Sequence, residues 1–314
     1  MFPVVAALEG RDFIDIADLD QQELENVLKL AHAIKAGHWN ERPLQGRHVA
    51  MLFQKPSHRT RVSFEVGIAR LGGTTTTLGE QDVQLGVRET VGDAARVLDR
   101  YVDGIVARLR SHADLLELAG AAEKPVINAL TDRSHPCQVL ADMMTIEEVC
   151  GALAQQHVAY VGDGNNIATS LIEAAALLRF RLTVVTPPGY EPAPAVLERA
   201  RKLRSGMMAV SLTSDLGALD GATAVYTDVW ASMGQESERD ARRKAFVEYQ
   251  VNQAVMDSVP GAVFMHCLPA HRGEEVTDEV IDGPRSVVFD QAGNRLYAQM
   301  ALMVHLFGGG QTSR

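Results

Sequence analysis

Short apolar runs alternate with longer stretches of helical periodicity along most of the chain. Leu24, Val27, Leu28, Leu30, Ala31 and Ile34 recur at helical spacing, which predicts a helix over residues 21–34 capped by Asp18 or Asp20. The run HVAMLF at 48–53 predicts a buried strand. A polar loop separates it from a predicted helix over about residues 59–71, with Val62, Val66 and Ala69 on one face and Gly72-Gly73 as its stop. The same order of strand, loop and helix is read at 104–107 and 111–119, at 125–128 and 137–149, and at 157–161 with a helix running on to about Leu178. Further strands are read at 181–186, 224–227 and 262–266, and a helix over 290–302.

Strands alternating with helices predict an α/β fold of parallel sheets flanked by helices. At 314 residues the chain suits two such domains. A boundary falls in residues 148–156, where a long helix ends and a new strand series begins, which gives domains 1–148 and 149–294. Ligands of such sheets bind beyond the carboxyl ends of the strands, so the polar residues that follow each strand are the candidates for chemistry.

Composition narrows the classes. Hydrophobic residues make up 46% and charged residues 22%, ordinary values for a globular protein. A net charge of −10 disfavours a nucleic-acid binder, though it permits a locally basic site for a small anion. Cys137, Cys150 and Cys267 have neither disulfide-framework nor metal-ligand spacing and suit reduced thiols, hence a cytoplasmic protein. No run approaches the length of a membrane span, and residues 1–11 lack the basic start of a secretory leader.

Ser57-His58-Arg59-Thr60-Arg61 lies where a strand hands over to a helix. A helix N-terminus with hydroxyls and a guanidinium suits a phosphate. The plain alternative is a solvated helix start, with Arg61 and Glu65 as an i, i+4 pair. His135, Pro136 and Gln138 open another helix, either as groups that address a carbonyl oxygen or as an ordinary polar cap. The segment VGDGNN at 161–166 begins like a dinucleotide fingerprint, but Ile167 stands where a third glycine belongs. Thr186 and Pro187 stand where that fingerprint needs an acid, which argues against an NAD enzyme. Asp228 directly follows a strand, as an amine-binding carboxylate would, and Cys267 follows another.

Together the segments KPSHRTRVSFE (55–65), HPCQVLAD (135–142), GDGNN (162–166), DVWASMGQE (228–236), HCLPAHRGEEV (266–276) and DQAGNRL (290–296) resemble the aspartate/ornithine carbamoyltransferase family, in that family's order and over almost the whole chain. The resemblance implies a first domain for carbamoyl phosphate, a second for the amino acid and an active site in the interdomain cleft. It also implies a C-terminal helix, about residues 295–314, packed back on the first domain, and a homotrimeric catalytic unit or multiple of it. The implied reaction carries the carbamoyl group from carbamoyl phosphate to the side-chain amine of L-ornithine, giving L-citrulline and phosphate, in arginine biosynthesis or in arginine breakdown, with no cofactor or metal.

Carried over by motif, the carbamoyl phosphate residues are Ser57, His58, Arg59, Thr60, Gln84, Arg108, His135, Pro136, Cys137, Gln138, Cys267, Leu268 and Arg295, with Gln84 supplied by a neighbouring subunit. The ornithine residues are Asn166, Asp228, Ser232 and Met233, and the catalytic set is Arg108, His135, Asp228, Cys267 and Arg295. The Ser232-Met233-Gly234 segment disfavours aspartate or putrescine as acceptor and leaves an N-acylated ornithine as the alternative. His58 departs from the family, which usually has threonine or an apolar residue there, and Val87 departs in the loop after Gln84.

Overall fold

A computed structural model describes residues 8–204, 209–231 and 236–308. The chain divides into two compact units, one made of the residues up to Ala141 together with those from Asn294 onward, the other Asp142–Gly293. Each unit is built on a wholly parallel sheet.

In the first unit the strands are β1 (His48–Phe53), β2 (Thr74–Gly79), β3 (Gly104–Arg108) and β4 (Val126–Leu130), in the order β2-β1-β3-β4. Its helices are α1 (Gln21–Lys35), α2 (His58–Arg70), α3 (Glu80–Val83), α4 (Val91–Leu98), α5 (His112–Ala121) and the start of α6 (Pro136–Cys150). Asp20 caps α1: its carboxylate accepts the Glu23 N–H, while Glu23 accepts the Asp20 N–H, a reciprocal box that fixes where the helix begins. Leu52, Ile105, Ala107, Leu115, Leu118 and Val126 pack into one of its buried clusters.

The second unit holds β5 (His157–Val161), α7 (Asn166–Leu178), β6 (Arg181–Val185), α8 (Pro194–Leu203), β7 (Val210–Thr213), β8 (Ala224–Thr227), α9 (Arg239–Phe246), α10 (Gln253–Ser258), β9 (Val263–His266) and α11 (Asp278–Ile281). Its strand order is β7-β6-β5-β8-β9. The last helix, α12 (Val288–Phe307), returns the chain to the first unit. There Phe307 packs so closely on Gly104 that a Cβ at that glycine would lie 2.4 Å from the ring.

Two expectations are corrected. The face of α2 that packs inward is Thr60, Phe64, Gly67 and Ile68, and Val62, Val66 and Ala69 are exposed. Gly67 lies under Met300 of α12, and small Gly67 beside bulky Phe64 makes a better seat for that helix than two valines would. The strands β2 and β7 have no counterpart among the runs read above. Both are edge strands with half-exposed, mostly hydroxyl-bearing sequences, TTTTLG and VSLT, so neither shows the apolar run of a central strand.

Both strand orders contain a reversal of direction. From β1 the chain goes first to β2 on one side and then to β3 on the other; from β5 it goes to β6 and β7 before crossing to β8. Each reversal opens a crevice at the carboxyl ends of two neighbouring strands, β1 with β3 and β5 with β8.

Candidate active site

At the first crevice, β1 delivers Ser57 as the N-cap of α2, its hydroxyl accepting the Thr60 N–H. Thr60 is buried, and its hydroxyl oxygen lies 3.1 Å from Ser57 Oγ, 3.4 Å from Arg108 Nη1 and 3.5 Å from Arg295 Nη2. Arg108 ends β3, where the pairing steps from Ala107↔Asn128 to Arg108↔Leu130. The extra residue, Ala129, bends the ladder there and re-aims the strand end, a usual role of a bulge beside a site. Arg295, in α12, is buried; its Nε donates to Gln299 Oε1 and its Nη1 to Gln138 Oε1, each at 2.8 Å. Arg59 stands on the first turn of α2, half-buried, and His58 before it is exposed.

His135 immediately precedes α6. Burial, and then the positive charges of Arg295, Arg108 and Arg59, hold its pKa well below 6.5, so the imidazole is neutral at physiological pH. A neutral imidazole among three guanidiniums is suited to donate to an oxygen without adding another full charge. Cys137 differs from what its place in the motif suggests: its thiol points to the Asn128 carbonyl at 3.3 Å, and burial pushes its pKa up to about 12. Only its backbone N–H, in the first turn of α6, is left to address an anion. Gln84 is exposed at the left-handed C-cap of α3 (φ 34°), and its amide donates to Gln81 O within that helix.

At the second crevice the central pair is Asn165 and Asp228. Asn165 caps α7, its side-chain oxygen accepting the N–H groups of Ile167 and Ala168 and the hydroxyl of Tyr160. With its oxygen so engaged, its amide nitrogen is directed to Asp228 Oδ2 at 2.8 Å. Tyr160 is fully buried, and burial with the nearby Asp228 and Asp163 keeps its hydroxyl protonated, hence a donor. The other carboxylate oxygen of Asp228 accepts the Cys267 thiol at 3.0 Å and the Val229 N–H at 2.8 Å. Asn166, in the first turn of α7, is buried beside them.

His266, at the end of β9, shapes the loop that follows. Its Nδ1 accepts the Leu268 N–H at 2.8 Å, which leaves Nε2 as the protonated nitrogen, 3.1 Å from Glu275 Oε1. Both side chains are completely buried. This pair holds Leu268 in the left-handed region, at φ 55°. Ligand atoms of Asp228, His266 and Cys267 lie within 4.8 Å of one another, a spacing a soft cation would accept. Both ring nitrogens of His266 are already engaged, so this donor set does not present three free ligands.

The structure thus gathers Ser57, Thr60, Arg108, Gln138 and Arg295 at one crevice, with His135 and Arg59 within electrostatic reach, and Asp228 with Cys267 at the other. Ser232 and Met233 lie outside the described residues. Asn165, His266 and Glu275 lie within the segments GDGNN and HCLPAHRGEEV but carry no assigned role there. The signal for Asn165 is its place after a strand and before a helix; Glu275 has none beyond its segment, since it reads as a surface charge.

The dinucleotide reading fails on geometry as well. Gly164 donates its N–H to Tyr190 O at 2.8 Å, and a Cβ on it would lie 2.2 Å from Pro192 N. The space where a pyrophosphate would meet this turn is filled by the chain's own backbone.

The family model described as the carbamoyl-P binding domain of aspartate/ornithine carbamoyltransferase matches residues 11–148, and that of the Asp/Orn binding domain matches residues 154–306. The chain is 52% identical to the ornithine carbamoyltransferase of Thermococcus kodakarensis over 98% of this chain and 99% of that protein. It is 50% identical to the anabolic ornithine carbamoyltransferase of Pyrococcus furiosus over 98% and 99%. The solved structure of ornithine carbamoyltransferase from Pyrococcus furiosus matches with a TM-score of 0.91 at 49% identity, covering 97% of this chain and 99% of that one. The enzyme from Thermus thermophilus matches at 0.85 and 43%, covering 94% and 98%.

Proposed function

This chain belongs to the aspartate/ornithine carbamoyltransferase family and transfers a carbamoyl group from carbamoyl phosphate to ornithine, and we propose that it does so through the two crevices described above. Ser57, His58, Arg59 and Thr60, at the start of α2, hold the phosphate with the first turn of α6 (Pro136, Cys137, Gln138), and Gln84 reaches it from a neighbouring subunit. The observation that carries this assignment is Thr60, buried with its hydroxyl between Ser57, Arg108 and Arg295. Three cationic side chains and two helix N-termini are what a dianionic phosphate with a polarised carbonyl requires.

His135, neutral, donates to the carbamoyl oxygen, and Arg108 and Arg295 stabilise it as negative charge builds on attack. Asp228 with Asn166, Ser232 and Met233 receives the amino acid, and Cys267 with Leu268 orients the amine and the carbamoyl group. The attacking nitrogen must be uncharged, and an alkyl amine has a pKa of about 10.4, so the deprotonated minority reacts. The bond from the amine nitrogen to the carbamoyl carbon forms, the carbon–oxygen bond to phosphate breaks, and the nitrogen's proton passes to the departing phosphate, leaving citrulline and hydrogen phosphate. Arg59 stays with the departing phosphate.

Exposed Gln84 supports a homotrimer in which each chain completes its neighbour's phosphate site. The three cysteines form no disulfide, which suits a reducing cytoplasm, and among the described residues no helix is long and apolar enough to cross a membrane. A biosynthetic role, in making citrulline for arginine, fits likeness to the Pyrococcus furiosus protein named anabolic. The test is to supply carbamoyl phosphate with ornithine, N-acetylornithine, putrescine or aspartate separately and measure the carbamoylated product. Citrulline should dominate; preferential turnover of any other amine overturns the acceptor assignment.

A further inference from the structure

Arg242 sits in the most highly charged stretch of the chain, 238–244, yet its side chain is only 8% exposed. Its guanidinium meets Asp163 Oδ2 at 2.9 Å, the Trp230 carbonyl at 3.2 Å and Glu238 Oε2 at 2.9 Å, and it lies 5.1 Å from the centre of the Tyr190 ring. Burying an arginine is costly, and replacing such a pair with apolar side chains is often neutral or better for stability. Stability alone is therefore a poor account of this residue, and its partners suggest another.

Asp163 and Trp230 belong to different loops. Asp163 lies in the turn after β5, two residues before Asn165; Trp230 lies in the loop after β8, two residues past Asp228. The same guanidinium therefore ties together the two loops whose relative position sets the 2.8 Å bond from Asn165 to Asp228. Tyr190 beneath it accepts the Gly164 N–H through its carbonyl and packs edge-on against Phe246 of α9, which closes the frame. The guanidinium spreads its donors over three nitrogens of a rigid plane and so reaches acceptors on both loops at once; an ammonium has three donors but on a single nitrogen, and spans the two loops less well.

We propose that Arg242 is a positioning residue for the amino-acid acceptor, which by clamping Asp163 and the Trp230 carbonyl sets the Asn165–Asp228 pair and thereby the affinity for ornithine rather than for carbamoyl phosphate. The inference rests on the assignment of Asp228 to the ornithine site. Loss of the clamp also leaves Asp163 with burial, Asp228 and Glu238 all raising its pKa, and no arginine opposing them.

The experiment compares Arg242→Met, which keeps the packing on Tyr190, Arg242→Lys, Asp163→Asn and Asp228→Asn in the full-length enzyme, varying ornithine and carbamoyl phosphate separately. Arg242→Met should raise the ornithine KM about 10- to 100-fold, a part of the larger cost of breaking a buried ion pair, while the carbamoyl phosphate KM moves less than about threefold. Asp163→Asn should raise the same constant, a variant combining Arg242→Met with Asp163→Asn should be no worse than the more severe single one, and Arg242→Lys should fall between Arg242→Met and wild type. An unchanged ornithine KM in folded Arg242→Met or Arg242→Lys overturns the inference, as does a parallel rise in both KM values with collapse of kcat. If Asp228→Asn alone leaves the ornithine KM unchanged, it is the acceptor site that has been misplaced.

Discussion

Asn165 donates from its amide nitrogen to Asp228 Oδ2 at 2.8 Å while its oxygen caps α7. One side chain thus serves both the helix and the acceptor carboxylate. Asn165→Asp keeps a capping oxygen but turns a second carboxylate toward Asp228. The expected result is a raised ornithine KM with little change in melting temperature. Asn165→Ala should add a loss of about 1 kcal/mol for the missing cap. Steady-state kinetics and thermal melting of the two variants check the separation; equal melting losses would contradict it.

Arg59→Ala should weaken carbamoyl phosphate binding by at least about tenfold, the effect of losing a charge-assisted contact to phosphate worth roughly 1.5–3 kcal/mol. Ornithine binding measured in the presence of saturating carbamoyl phosphate should change far less. Calorimetric titration with carbamoyl phosphate is the direct check, and unaltered affinity would remove Arg59 from the phosphate site.

His135 gives a signed pH dependence. Its folded-state pKa lies well below 6.5, so as pH falls through that value the unfolded chain takes up a proton that the folded chain refuses. Stability from this group is complete above about pH 6.5 and declines as pH falls through and below it. Replacing His135 with Asn should make the acid-side loss of stability shallower. Urea unfolding between about pH 5 and 7.5 reads the slope, and identical slopes in both proteins would refute the assignment of a buried neutral imidazole.

Activity at subsaturating ornithine should rise toward alkaline pH, since an amine of pKa about 10.4 is mostly protonated at neutrality. A profile flat between about pH 6 and 9 when chemistry is rate-limiting would exclude amine deprotonation as the controlling step.

Gly164→Ala tests the turn after β5. Its new methyl group would fall 2.2 Å from Pro192 N and 2.6 Å from Tyr190 O, both backbone atoms that cannot swing aside. The expected outcome is a loss of several degrees in melting temperature together with acceptor binding, because the same turn carries Asp163 and Asn165. Normal melting would mean that the 190–192 segment yields more readily than its contacts suggest.

Much of this architecture is legible in the chain. Central strands such as His48–Phe53 and His157–Val161 are apolar because both of their faces are covered, and the polar residues just after them are where the site lies. The edge strand Thr74–Gly79 escapes notice because its threonines are half-exposed. The inward face of α2 was misread from its valines because that face is set by α12, more than 200 residues further along the chain. Arg242 looks like one more member of a solvated charge run, and only the approach of Asp163 and Trp230 reveals it as buried. Asn165 and Asn166 are adjacent and chemically identical, so residue type alone does not say that Asn165 is the one that caps α7.

The contact of Phe307 with Gly104 bears on how the chain is made. The unit Asp142–Gly293 is continuous, whereas the other needs residues from both ends of the chain. On the ribosome the middle of the polypeptide can complete its packing while the first-made sheet still lacks Phe307 over β3. The unit that carries Thr60 cannot complete its packing before residues beyond Gly293 are made, and Arg295 reaches Thr60 only when α12 has left the exit tunnel.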